Sequence, residues 1–401
     1  MLNKEDRTIQ KINVHLISMA LMFGLFMPDG TLFYILVPIV TFFLAIRYFS
    51  INNTTRIQYI IVLMIILSFI IYAISNSTIM DNKALFRNIV LIELFILFPF
   101  AINVKIPNIY IYTSLIIIFI SQISYMIGFS PLTSFFNNYY PYEGDFYLYQ
   151  SDYLQSQAHD MYLTNRSLRL GGLFHNANQC AKYLSIILAV YISENFKTTL
   201  ISKLPFLIIY SLAIIGTGSR TGFMISILIL LYYLYLSLSN KQNIIKYIYF
   251  FTIFYIITIL LYSILNYEIT STYRFFDFKE GFDKSLFVKI GILSNYLYNN
   301  SSVLSLLLGN FNNDSLNNIQ FDSEWGELIY RYGISIIIAF IAFFTNIYKK
   351  INRKYRIFLL ALLWIISSTL ILSYRAGFVF LLLLSKYFSD YRLDNNSRLI
   401  N

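Results

Sequence analysis

The sequence predicts an all-α, polytopic integral membrane protein: a single membrane domain (1–401) with about twelve transmembrane helices and two large extracytoplasmic loops. Three observations carry that prediction. The 401-residue chain is 57% hydrophobic and only 12% charged, whereas a soluble domain carries about 25% charged residues. With mean hydropathy at +0.62, too little polar surface remains to face water. Apolar runs of near-membrane length recur along the chain, and basic residues gather in alternate connections between them, the asymmetry that orients membrane proteins.

A bilayer core of about 30 Å needs roughly 20 apolar residues per helix. Runs near that length lie at 12–27, 31–47, 57–75, 88–102, 107–127, 180–195, 204–219, 221–239, 244–266, 326–348, 357–373 and 375–389. Backbone groups in hydrocarbon must be satisfied within a helix or by a closed barrel, and these Ile/Leu/Phe/Tyr runs lack the alternation of barrel strands. They read as helices. Their richness in Ile, Tyr and Phe would favour strands in water, but the need for internal hydrogen bonding in lipid overrides that preference. The runs 88–102 and 375–389 are the shortest.

Placing the N-terminus in the cytoplasm puts 18 of the 30 Lys and Arg residues in cytoplasmic connections and ten outside, with Lys182 and Arg331 in or at the edge of a span. The expected topology therefore crosses the membrane many times, with both termini cytoplasmic. The run KKINRKYR (349–356) is a plain cytoplasmic anchor. The first apolar run has no small-residue cleavage site, so no cleavable signal peptide is expected.

Several chemistries are excluded at once. A single cysteine, Cys180, rules out a disulfide framework or thiolate cluster, and His15, His159 and His175 show no two-His metal spacing. There is no GxxxxGKS loop, GxGxxG, HExxH or Asp-x-Asp pair, so neither a metal, a cofactor nor a soluble nucleotide donor is expected. The net charge of +10 forms no aromatic-interleaved patch, which excludes nucleic acid as a partner.

Two long connections fall on the outer side: 128–179 and 267–325. The first, with FFNNYYPYEGDFYLYQSDY, is too aromatic for a flexible linker. Its rings and amides suit sugar faces and hydroxyls, or equally a packed cap over the bundle. The second holds SLFVKIGILSNYLY (285–298), whose mixed pattern suits a helix lying on the membrane surface.

Ionisable groups at membrane depth cost about 2.5 to 3.5 kcal/mol each and are functional hypotheses by default. Three segments concentrate them at the outer boundary. In RSLRLGGLFHNANQCAK (166–182) two glycines permit close backbone approach, Asn176 or Asn178 can cap the following helix, and Arg166 and Arg169 stand beside its N-terminus. Guanidinium forks with a helix N-terminus form an anion site, and diphosphate is the expected anion at a membrane surface. His175 is a base by type, although a lone histidine near a helix start is more often structural. In IIGTGSRTGF (214–223) a tight turn places Arg220 between two spans, and Arg375 in LSYRAGF is placed similarly. In IQFDSEWGELIYRYGIS (319–335) Asp322 and Glu324 precede a helix that carries Tyr330 and Arg331. Acids there serve as caps, or as a general base beside the arginines. Asn178, Tyr330 and Arg331 complete the candidate substrate-binding residues.

The order of these segments resembles the superfamily of Wzy-type O-antigen polymerases and O-antigen ligases. The matching stretches are Arg169-Leu-Gly-Gly-Leu-Phe-His-Asn-Ala-Asn178, Ser219-Arg220-Thr-Gly222, and Asp322-Ser-Glu-Trp325 through Gly333. The resemblance implies a multi-pass protein of the bacterial cytoplasmic (inner) membrane and metal-independent, inverting glycosyl transfer at that membrane's outer face, the donor being a glycan on undecaprenyl diphosphate. By position, Arg169 and Arg220 inherit the diphosphate role. Asp322 stands where the ligases have a histidine, which favours a polymerase acting on lipid-linked repeat units of an O-antigen (lipopolysaccharide) or capsule, as both donor and acceptor. A ligase is the first alternative and a lipid-linked oligosaccharide flippase the second. Membrane lipid and a chain-length regulator are the other expected partners.

Overall fold

The computed structural model describes residues 105–127, 130–139, 170–174, 177–237 and 324–366, with isolated helical positions within 15–22, 61–66, 306–307 and 379–387. Among the described residues every regular element is a helix and there is no strand. The chain divides into two compact units, the first from Met1–Asp29, Lys105–Lys279 and Arg353–Ala361, the second from Gly30–Val104, Glu280–Asn352 and Leu362–Asn401.

Four long helices dominate the described part of the first unit: α1 (Asn108–Ile127), α3 (Ala177–Glu194), α4 (Leu200–Gly216) and α5 (Arg220–Ser237). Helix α1 is followed by the short α2 (Ser130–Tyr139). At about 1.5 Å per residue, the 20 residues of α1 and the 18 of α5 reach most of the way through a hydrocarbon core. Both are long and apolar enough to cross a membrane.

Their faces are arranged the opposite way from a surface helix in water. On α1, Ser114, Ser121, Gln122 and Ser124 point inward among Ile111, Leu115 and Ile118, while Ile109, Ile116, Ile120 and Ile127 are exposed. On α5, Ser226 is buried whereas Met224, Leu228, Leu231 and Tyr235 are exposed. The inward polar groups bond at once to helix carbonyls or to neighbours: Ser226 Oγ donates to Gly222 O at 2.6 Å and pairs with Tyr210 OH on α4. Helix α3 lies at the centre, buried on every face from Cys180 to Ser193.

Cross-helix partners fix the directions. Asn108 and Asn195 exchange carboxamide bonds of 3.0 and 2.7 Å, so the start of α1 meets the end of α3. Phe196, just past α3, meets Tyr233 near the end of α5. Helices α3 and α5 are therefore parallel to each other and antiparallel to α1 and α4.

In the second unit, α6 (Glu324–Tyr332) and α7 (Ile334–Lys350) are separate. The run 326–348, expected as one span, is interrupted at Gly333, where φ is 78° and ψ is 177°, a conformation essentially confined to glycine. The Gly333 N–H closes α6 by bonding Ile329 O at 2.8 Å. Helix α7 ends in Lys349 and Lys350, basic residues that complement the negative end of the macrodipole. The run expected at 357–373 opens in the first unit as one α-helical turn, α8 (Arg356–Leu359), then tightens to a 3₁₀ helix over Leu360–Ile366, the second unit resuming at Leu362. The spans expected at 31–47, 88–102 and 244–266 lie outside the described residues, and those at 12–27, 57–75 and 375–389 are described only at isolated positions.

Candidate functional site

One end of the α1/α3/α4/α5 packet gathers two of the three segments singled out in the sequence. The chain enters it at Leu170, runs through a 3₁₀ turn at Gly172–Phe174 and starts α3 at Ala177. It returns through Thr217–Ser219 to start α5 at Arg220.

Segment 170–174, two irregular residues and a single 3₁₀ turn, is wholly buried, so each polar group in it needs a partner. Leu170 N–H donates to Gly216 O at 2.9 Å and Phe174 N–H to Gly171 O at 3.2 Å. Leu173 N–H donates to Ser121 Oγ at 3.2 Å, and Leu170 O accepts from Gln122 Nε2 at 3.1 Å. Gly172, at φ 56°, presses on α1: a Cβ there would collide with Ser121 Oγ and sit 3.3 Å from two atoms of Gln122. The close approach expected of this glycine pair is found at Gly172. Phe174 then stacks on Tyr183 of α3, ring centroids 4.4 Å apart.

The two segments meet side chain to side chain. Ser219 Oγ donates to Asn178 Oδ1 at 3.0 Å and accepts the Gly222 N–H at 3.3 Å. Ser219 is thus the N-cap of α5, bonding the third residue of the helix as cap serines do. Asn178, offered in the sequence as a cap for α3, is instead its second residue, and its carboxamide oxygen faces Ser219.

Arg220 occupies the first position of α5 and is half-buried. Neither α3 nor α5 has an acid in its first turn. Two parallel helix N-termini, each equivalent to about half a positive charge, therefore stand side by side, with Arg220 as the first residue of one of them. Such a concentration of N–H groups and positive charge favours an anion. One turn into α3, the buried Lys182 donates from Nζ to Gln179 Oε1 at 2.8 Å.

Of the other candidates, Glu324, Tyr330 and Arg331 lie on α6 in the second unit, their side chains outside the described residues. Asp322, His175, Arg166, Arg169 and Arg375 also lie outside the described residues. Among the described residues no group of three or more His, Cys, Asp or Glu could hold a metal ion. Sequence reasoning missed Ser121 and Gln122. The available signal was a carboxamide set in the apolar run LIIIFISQISYM, since a polar group buried among apolar side chains needs a partner inside the protein. No protein-family model, curated protein or solved structure matches the chain.

Proposed function

We propose that the chain is a membrane glycosyltransferase that polymerises undecaprenyl-diphosphate-linked oligosaccharide repeat units at the outer face of a bacterial cytoplasmic membrane. Lipid as the solvent is supported by the outward isoleucines of α1 and the inward serines and glutamine, an arrangement that water would penalise at about 25 cal/mol per Å² of exposed apolar surface. The observation that carries the catalytic reading is the Ser219–Asn178 bond of 3.0 Å. It joins the two motif segments at the end where both helix N-termini and Arg220 stand.

In this reading Arg220, with Arg169 and with Arg166 and Arg375 as further candidates, balances charge on the lipid diphosphate. A terminal hydroxyl of a second repeat unit attacks the donor's anomeric carbon. The new glycosidic bond forms as the bond to the diphosphate oxygen breaks, and the diphosphate leaves with the electron pair. The hydroxyl proton passes to a carboxylate, Asp322 or Glu324, with His175 the remaining candidate base. Stabilising a leaving group's charge with fixed donors in a water-poor site is usually the largest catalytic contribution.

The decisive experiment is incubation of purified protein with lipid-linked repeat units alone. A ladder of products is expected, and wild-type protein that returns single units unchanged refutes the reading. Export of reporters fused after residues 150 and 300 is expected, and a cytoplasmic reporter at either position refutes the topology.

A further inference from the structure

The end of the packet that presents Arg220 is shaped by a residue outside every motif. Gln122, on the penultimate turn of α1 and 3% exposed, donates from Nε2 to Leu170 O at 3.1 Å and to Ala213 O at 3.0 Å. Those two bonds use both hydrogens that a carboxamide possesses. Cys180 Sγ lies 3.5 Å from the same nitrogen.

Each acceptor solves a problem posed by the backbone. The last four carbonyls of a helix lack intrahelical partners. In α4, Ile214 O accepts from Thr217 Oγ1 at 2.7 Å, Ile215 O from Gly218 N–H and Gly216 O from Leu170 N–H, both at 2.9 Å. Gln122 supplies the donor for Ala213 O. Leu170 is consequently held twice, through its N–H to the end of α4 and through its carbonyl to α1. Sliding the segment by one residue would break both bonds and drive the Leu173 side chain into the place of Gly172, against Ser121.

We propose that Gln122 is a positioning residue: it locks the buried segment Leu170–Phe174 to the end of α4 and so fixes where the following turn presents Arg220 beside Asn178. The catalytic part of this inference rests on the reading of Arg220 given above, while the locking part does not. Gln122 touches no reacting atom and acts through the carbonyls it holds.

Full-length protein in lipid nanodiscs carries the test. Gln122→Leu keeps the bulk and removes both donors, and Gln122→Asn keeps the donors on a shorter arm. Cys180, buried and the sole cysteine, reports the local opening through its alkylation by N-ethylmaleimide. Gln122→Leu is expected to label about tenfold faster than wild type or more, the mark of a local opening, with helix content unchanged. Polymerisation kcat per folded molecule is expected to fall about 100-fold, as for a misplaced catalytic group, with KM within about twofold. Gln122→Asn is expected to fall between, and it carries the same comparison should the leucine variant fail to reach the membrane. Unchanged labelling overturns the lock. Faster labelling with kcat per folded molecule unchanged overturns the positioning role and leaves Gln122 a packing residue. If wild-type protein makes no polymer, the glycosyltransferase reading has failed, and labelling alone decides the lock.

Discussion

The two ends of the α1/α3/α4/α5 packet are built from the same helices and held in different ways. At one end side chains clamp side chains: Asn108 with Asn195, Tyr112 with Tyr191, and Lys203 Nζ with Tyr233 OH at 2.6 Å. At the other end side chains hold backbone: Gln122 takes two carbonyls, Ser121 takes an N–H, and Ser219 takes another while reaching Asn178. A clamp between side chains fastens helices that would be regular anyway. Bonds to backbone keep non-helical chain in one shape where it is buried, since an unsatisfied buried amide costs several kcal/mol. The second end is thus shaped from buried non-helical chain, whereas at the first the side-chain bonds to backbone, Lys203 Nζ to Thr198 O and Thr198 Oγ1 to Asn195 O, close only a short and largely exposed turn between α3 and α4.

Substitutions at the two ends should separate these roles. The largest effect is expected from Arg220→Ala, which should lower polymer formation about 10² to 10³-fold, as loss of a charge-stabilising donor does. Ladder length at matched membrane levels is the readout, and normal chains would remove Arg220 from the site. Next, Gly172→Ala imposes a positive φ on a residue with a Cβ and overfills the gap against Ser121, together about 3 kcal/mol. Thermal melting in detergent should show the loss, with turnover falling as well.

Lys203→Met at the fastened end removes a charge-assisted bond to Tyr233 and one to Thr198 O at 3.0 Å, an expected loss of about 2 kcal/mol. Stability should drop while kcat per folded molecule holds, and a selective loss of kcat there would erase the distinction between the ends. Ser219→Ala forfeits the α5 cap, about 1 kcal/mol, and the link to Asn178. It should lower turnover more than Lys203→Met does despite the smaller stability change. Smallest is Asn108→Ala, about 0.6 kcal/mol, the average for polar contacts between membrane helices, visible only as a small shift in melting.

Among the described residues, part of the helical frame is legible in the chain. The run 107–127 appears as Asn108–Ile127 and 221–239 as Arg220–Ser237, because length and apolar content mark such helices without reference to their neighbours. The span expected at 180–195 begins three residues earlier, at Ala177; of the two cap candidates Asn176 and Asn178, Asn178 lies inside the helix and Asn176 outside the described residues. The division of 326–348 at Gly333 was not legible: an isolated glycine in an apolar run is compatible with an unbroken helix, and only its torsion says otherwise. Arg220, Ser219 and Asn178 stood out by residue type at an apolar boundary. Gln122 did not, because its meaning lies in two carbonyls 48 and 91 residues away.

By itself the sequence determined the helical class and the composition of each end, because hydrocarbon-length apolar runs and their bounding charges are local properties of the chain. Only the tertiary structure decided that α3 and α5 lie parallel with their N-termini adjacent, that Ser219 meets Asn178, and that one glutamine holds two backbone segments together. Those are pairings between distant residues, and a hydrogen bond across such a separation exists only once packing has brought donor and acceptor within about 3 Å.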